Sequence, residues 1–130
     1  MKFLLDTNAV IALMKGESRV TERLRQHAPQ DFGMPAIVAH ELFYGAYRSQ
    51  RREQNLARVQ ALQFEVLDLD LEDARRAGEI RALLSEAGTP IGPYDVLIAG
   101  QALARSLTLI SRNTREFKRV ESLRVEDWEN

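Results

Sequence analysis

Short apolar runs alternate along this chain with longer stretches of helical period, and this alternation constrains its fold more than any other feature. Lys2 to Leu5 is a short apolar run, followed at once by polar Asp6, Thr7 and Asn8 and then by a short helix, Ala9 to Met14, ending near Gly16. That is a strand-to-helix turn. The pattern continues with a helix over Val20 to Gln26, a strand over Asp31 to Met34, and a helix from Pro35, in the first-turn position proline favours, to about Arg48. A helix over Glu53 to Leu62, a strand through Phe64, Val66, Leu67 and Leu69, and a helix over Leu71 to Ala87 closed by Gly88 follow. After the rigid turn Thr89-Pro90-Ile91-Gly92-Pro93 come a helix from Tyr94 to Arg105, a strand from Leu107 to Ser111, a helical piece near Thr114 to Phe117 and a last strand near Val125, before Trp128. Strands and helices alternating at these lengths predict an α/β fold with right-handed crossovers and a mainly parallel sheet covered on both faces.

No repeat, low-complexity tract or flexible linker divides the chain, and 130 residues suit one domain spanning 1–130. There is no cysteine, and His27 and His40 are the only histidines, so a zinc site of ordinary composition is not expected and oxygen ligands for hard cations remain. No apolar run approaches the ~20 residues of a membrane span, and the start lacks the layout of a secretory signal, so a cytoplasmic protein without a membrane partner is expected. The formal charge of −1 excludes a uniformly basic surface of the kind that coats nucleic acid. Fifteen of the eighteen basic residues are arginine, however, which favours bidentate pairing with phosphate or carboxylate. They gather locally at Arg48, Arg51, Arg52 and Arg58, and again at Arg105, Arg112, Arg115, Lys118, Arg119 and Arg124. Either group reads equally well as a solvated helix face.

Four acidic residues stand in unusual places. Asp6 ends an apolar strand, where ligands bind in open parallel sheets, though Asp6 or Asn8 also reads as a helix cap. Glu41 falls in a helical stripe with Ile37, Val38, Leu42 and Gly45, which points a carboxylate inward; an inward Glu needs an arginine, a proton or a metal. Asp95 follows Pro93 and Tyr94 in the first turn of a helix whose next residues are apolar; it serves the helix dipole or projects from the rigid turn for chemistry. Glu116 lies in the loop after the strand Leu107 to Ser111, with Ser111 and Asn113 as polar supports, and reads equally as a solvated Glu among arginines. Three independent coincidences would be needed to explain Asp6, Glu41 and Asp95 separately; one shared metal explains them together.

Leu5-Asp6-Thr7-Asn8, the helix segment containing Glu41, Leu42, Tyr44 and Gly45, and the run from Gly88 through Pro90, Gly92, Pro93 and Asp95 to Ala99 together resemble a PIN domain. More closely, the chain resembles the VapC toxins of bacterial VapBC toxin–antitoxin modules, from residue 2 to the closing Val125-Glu126-Asp127-Trp128. The resemblance implies an α/β/α sandwich and a Mg²⁺- or Mn²⁺-dependent endoribonuclease. Asp6, Glu41 and Asp95 match the family's first three acids and would hold the metal, with Thr7 and Asn8 supporting. Many PIN domains carry an aspartate where Asn113 stands and others an acid where Glu116 stands; Glu116 is assigned the fourth role, with Ser111 and Asn113 supporting.

The resemblance also implies a VapB-like antitoxin, a homodimer, and contact with DNA only through the antitoxin. RNA, with transfer RNA as the family-level expectation, would be held by some of Arg48, Arg51, Arg52, Arg112 and Arg115 through its phosphates, with Tyr44, Tyr47 or Tyr94 stacking on unpaired bases. Phe43, Tyr47 and Leu62 are candidates for protein contacts. Two other readings compete: a receiver- or dehalogenase-like phosphotransfer domain with Asp6 as nucleophile, and a non-catalytic RNA- or protein-binding domain.

Overall fold

The computed structural model describes residues 1–130, and β1 (Phe3–Leu5) lies at the centre of its five-stranded sheet, ordered β3-β2-β1-β4-β5. β1 pairs with β2 (Phe32–Pro35) on one side and β4 (Thr108–Ile110) on the other; β3 (Glu65–Leu67) and β5 (Val125–Glu126) form the edges. Every pair is parallel, as the sequence pattern predicts. The central strands are apolar without alternation because helices cover both faces: Leu4, Leu5, Leu109 and Ile110 are all buried.

Seven helices supply the crossovers and the covering layers. They are α1 (Thr7–Met14), α2 (Ser18–Arg25), α3 (Ala36–Arg48), α4 (Arg52–Gln60), α5 (Leu71–Glu86), α6 (Pro93–Ala104) and α7 (Thr114–Phe117). The chain steps outward from β1 through β2 to β3, then returns through α5 and α6 to β4 on the opposite side of β1. Connections leaving β1 and β4 therefore diverge and leave a crevice outside the carboxyl ends of the two strands, where parallel sheets bind ligands.

Three details depart from the sequence pattern. Pro35 closes β2 and stands before the first turn of α3, which starts at Ala36; a residue without an N–H fits either place. The strand expected from Phe64 to Leu69 shortens to an edge strand with Val66 exposed. The buried stripe of α3 is Val38, Leu42 and Ala46, so Gly45 is exposed and Glu41 sits on the flank of the stripe rather than inside it.

Helices α5 and α6 approach so closely that a Cβ on Gly100 would stand 2.6 Å from the Ala77 backbone nitrogen. α5 ends as expected, with Gly88 in the left-handed conformation at φ +72°. At the other end of the chain, Trp128 stacks on His27 at 5.8 Å and meets Phe3 edge-on, which fixes the C-terminal segment against the sheet.

Candidate active site

Each acid of the site reaches the crevice from a different element. Asp6 follows β1 directly, and its backbone N–H donates to the Ile110 carbonyl of β4 at 3.0 Å. One carboxylate oxygen accepts the Thr7 N–H at 2.8 Å, so Asp6 does cap α1. The other oxygen accepts the Ser111 hydroxyl at 2.7 Å and the Asn8 amide at 3.2 Å. The cap and the site are thus served by two oxygens of one side chain. Asn8 donates to Ser111 Oγ and accepts the Arg112 N–H at 3.0 Å, while the Asn113 N–H donates to Ser111 Oγ at 3.0 Å. These bonds tie the start of α1 to the exit of β4, and every support residue named from the sequence takes part except Thr7, whose backbone alone contributes.

Glu41 enters from α3 and Asp95 from the first turn of α6; both line a cleft of about 510 Å³ with Asp6, Thr7 and Asn8. The neighbours of the two acids meet: His40 and Tyr94 pack edge to face at 5.5 Å, pinning the start of α6 to α3. Glu116 lies outside the cleft wall, beside Asp95, and accepts the Asn113 amide at 3.4 Å.

Asp6, Glu41, Asp95 and Glu116 make no salt bridge, although the chain has eighteen basic residues. The arginine partner that would have explained Glu41 is therefore absent. Burial raises the Asp6 carboxyl, offset in part by Ser111, Thr7 and Asn8. Burial and then the charge of Asp6 raise Glu41, offset in part by His40. Burial, Asp6, Glu116 and Glu41 push Asp95 up to about 6. A cluster of like charges in which no member is ion-paired favours protons or a cation, and perturbed carboxylates in a cleft mark functional sites. The Thr7 hydroxyl, buried in the wall, closes no hydrogen bond of ordinary geometry. No three acids or histidines converge into a preformed metal cage.

Of the five arginines expected at RNA, only Arg112 lines the cleft. Arg48 bonds to the Tyr44 hydroxyl, Arg51 and Arg52 stand at the start of α4, and Arg115 is exposed on α7. Arg105 leaves the basic group altogether and pairs with Asp73 at 2.9 Å. Tyr44, Tyr47 and Tyr94 are exposed, while Phe43 and Leu62 are partly buried against the core. Lys15, Glu17 and Glu129 also line the cleft, and the sequence reading missed them. No local pattern marks them; Lys15 and Glu17 arrive at the end of α1, and Glu129 because Trp128 is anchored.

The PIN-domain family model matches residues 3–123. The tRNA(fMet)-specific endonuclease VapC of Salmonella typhimurium is 42% identical over 131 residues, covering 98% of each chain. Ribonuclease VapC2 of Haemophilus influenzae is 37% identical at the same coverage. Among solved structures, DNA-bound VapBC from Salmonella typhimurium superposes with a TM-score of 0.94 at 42% identity, again over 98% of both chains. Likeness of this extent, in sequence and in fold alike, makes the chain a member of the PIN-domain family and, within it, of the VapC proteins.

Proposed function

We propose that residues 1–130 form a single PIN domain acting as a divalent-metal-dependent endoribonuclease, the toxin of a VapBC module. One observation carries this reading: three carboxylates from three separate elements share a cleft, and none of them is ion-paired, since the cleft's one salt bridge joins Arg112 to Glu129. The donor set fits Mg²⁺ or Mn²⁺, which take oxygen ligands and, in the case of Mg²⁺, keep several waters rather than demanding a complete protein cage. Asp6, Asp95 and Glu41 would hold the ion. When bound, it supplies charge stabilisation for the phosphoryl oxygens and lowers the pKa of a water.

The chain's own residues do the rest. Ser111, Asn8 and the Thr7 N–H fix Asp6, leaving its carboxylate little freedom to turn. Glu41, on the flank of α3, is the group placed to orient the attacking water. Glu116, beside Asp95, would complete the site or help hold a second ion. Arg112 and Lys15, the cations of the cleft wall, contact substrate phosphates and offset the repulsion between RNA and the acids. The products are a 5′-phosphate and a 3′-hydroxyl.

Transfer RNA is the substrate class that the relative at 42% identity suggests, since that protein is named a tRNA(fMet)-specific endonuclease. The solved relative, a DNA-bound VapBC complex, suggests the partner, a VapB-like antitoxin; as the family resemblance implies, it would cover the site and carry the contact with DNA. We assign a homodimer in the cytoplasm; no helix is long and apolar enough to cross a membrane.

The test is digestion of total transfer RNA by the purified, antitoxin-free protein with Mg²⁺ or Mn²⁺ and with EDTA, mapping the cut ends. Discrete cuts that vanish in EDTA and leave 5′-phosphates are expected. Cleavage that persists in chelator, or ends carrying 2′,3′-cyclic phosphate, would falsify the reading.

A further inference from the structure

Gly92 stands immediately before the first turn of α6, in the position where Ser, Thr, Asp or Asn would supply a side-chain cap. Its backbone gives no reason for glycine: φ is −56° and ψ is 150°, a conformation open to any residue. The space around it does. A Cβ built on Gly92 would stand 3.0 Å from Asp95 Oδ2 and 3.6 Å from its Cγ. Asp95 is the third residue of the helix, and its carboxyl folds back over the turn toward Gly92. An acid in that position ordinarily accepts the N–H of the capping residue, completing a capping box. No such bond forms here, and the carboxylate remains on the cleft wall.

We infer that Gly92 is a positioning residue for Asp95: by lacking a side chain, it leaves the space in which that carboxylate lies back over the turn while still facing the cleft. The inference rests on the reading of Asp95 as a metal ligand. Little else can relieve the clash. Pro90 and Pro93 restrict the turn on both sides, and Arg119 fixes it further by donating to the Pro90 carbonyl at 3.0 Å. The Asp95 carboxyl is the free end of a side chain, so it is the part that moves. Displacing a ligand by a few tenths of an ångström leaves the fold intact and degrades the site, since the groups that orient metal ligands matter nearly as much as the ligands.

The experiment compares Gly92→Ala, Asp95→Asn and Gly78→Ala with the wild type, reading Mn²⁺ affinity by calorimetry, RNA cleavage, and the melting temperature without metal. Gly78 is the matched control, a helical glycine on α5 with nothing within 4 Å of a built Cβ. Gly92→Ala is expected to weaken Mn²⁺ binding by about 10- to 100-fold. Turnover should fall with it while the KM for RNA stays unchanged. Its melting temperature should match or exceed the wild type, because alanine fits the observed φ and ψ and restricts the unfolded chain. Gly78→Ala should bind Mn²⁺ normally. Normal Mn²⁺ binding by Gly92→Ala alongside loss in Asp95→Asn overturns the inference and leaves the site reading standing. Normal binding by Asp95→Asn overturns the site reading and this inference with it. A lowered melting temperature in Gly92→Ala, with weakened binding that tracks it, overturns the positioning role in favour of a structural one.

Discussion

Asp73 and Asp95 occupy the same position, third in their helices, on two helices that pack against each other, yet their environments are opposite. Asp73 is 1% exposed and every side of it is paired. It accepts the Asp70 N–H at 3.1 Å in a capping box, the Gln101 amide at 3.0 Å and the Arg105 guanidinium at 2.9 Å. Burial alone would raise its carboxyl; Arg105, Asp70 and Gln101 together hold it below the ordinary value. Asp95 has Gly92 where α5 has Asp70, three acids nearby where Asp73 has an arginine, and a carboxyl pushed up to about 6. A buried carboxylate supplied with donors and a cation fastens two helices together; a half-buried one supplied with neither waits for a ligand.

The sharpest break in this comparison comes from neutralising each acid in turn. Asp95→Asn should lower RNA cleavage by at least about 100-fold, the scale expected when a positioned group is lost from a site. Its melting temperature without metal should hold or rise, because repulsion with Asp6, Glu41 and Glu116 is relieved. Single-turnover cleavage and thermal melting check the two halves. Asp73→Ala should do the reverse: a loss of about 1.5–3 kcal/mol of stability, the range for hydrogen bonds to charged groups. Mn²⁺ affinity below saturation of unfolding should be unchanged, as urea titration and calorimetry would show. If Asp73→Ala abolished metal binding in a protein still folded, the division of labour between the two acids would be wrong.

A smaller effect is expected from Gly100→Ala, where the added methyl meets the Ala77 backbone at 2.6 Å. Overpacking of this kind costs about 1–3 kcal/mol, and here it should act on the α5–α6 seam without changing the Mn²⁺ affinity of the folded fraction.

The subtlest effect is one of pH. The Asp95 carboxyl is raised from 3.8 to about 6 on folding, so the native state binds the proton more tightly. Its contribution to metal-free stability is therefore greatest at low pH and is lost as pH rises from 3.8 through about 6. Asp73 has the opposite sign, since its lowered carboxyl stabilises the fold above the ordinary carboxylate range and loses that contribution as pH falls below it. The metal-free melting temperature should consequently decline between about pH 4 and pH 6, less so in Asp95→Asn, and Mg²⁺ should remove the decline by binding the ionised form. A decline of equal size in wild type and Asp95→Asn would show that another group sets it.

Most elements of the fold were legible because their signals are local. The run Phe3 to Leu5 is uninterrupted by polar residues, Pro93 and Gly88 punctuate helix ends, and the result is the alternation a parallel sheet requires. Asp6 and Asp95 were legible for the same reason, each following an apolar strand or a rigid turn. Glu41 was found by periodicity, although the stripe proved to run through Ala46 rather than Gly45, because the rotation of α3 is set by what it packs against. The arginines were the least legible. Arg105, Arg119 and Arg124 lie close in sequence but bond to Asp73, the Pro90 carbonyl and the Ser106 carbonyl respectively, and a run of charges does not state which partner each will meet.

The sequence by itself determined the alternation of strands and helices, the helix ends and the acids that follow β1 and begin α6, since all of these depend on residues within a turn or two of one another, and the resemblance to PIN domains, which rests on the order and spacing of such local motifs. Only the tertiary structure decided that β4 lies beside β1. That adjacency joins Ser111 to Asp6 across 105 positions of chain and closes the cleft. It also decided which of two identically placed aspartates is paired and which is left open. The physical reason is that the charge state of a carboxylate depends on every dipole and charge within a few ångströms, and in this chain most of those come from elements distant in sequence.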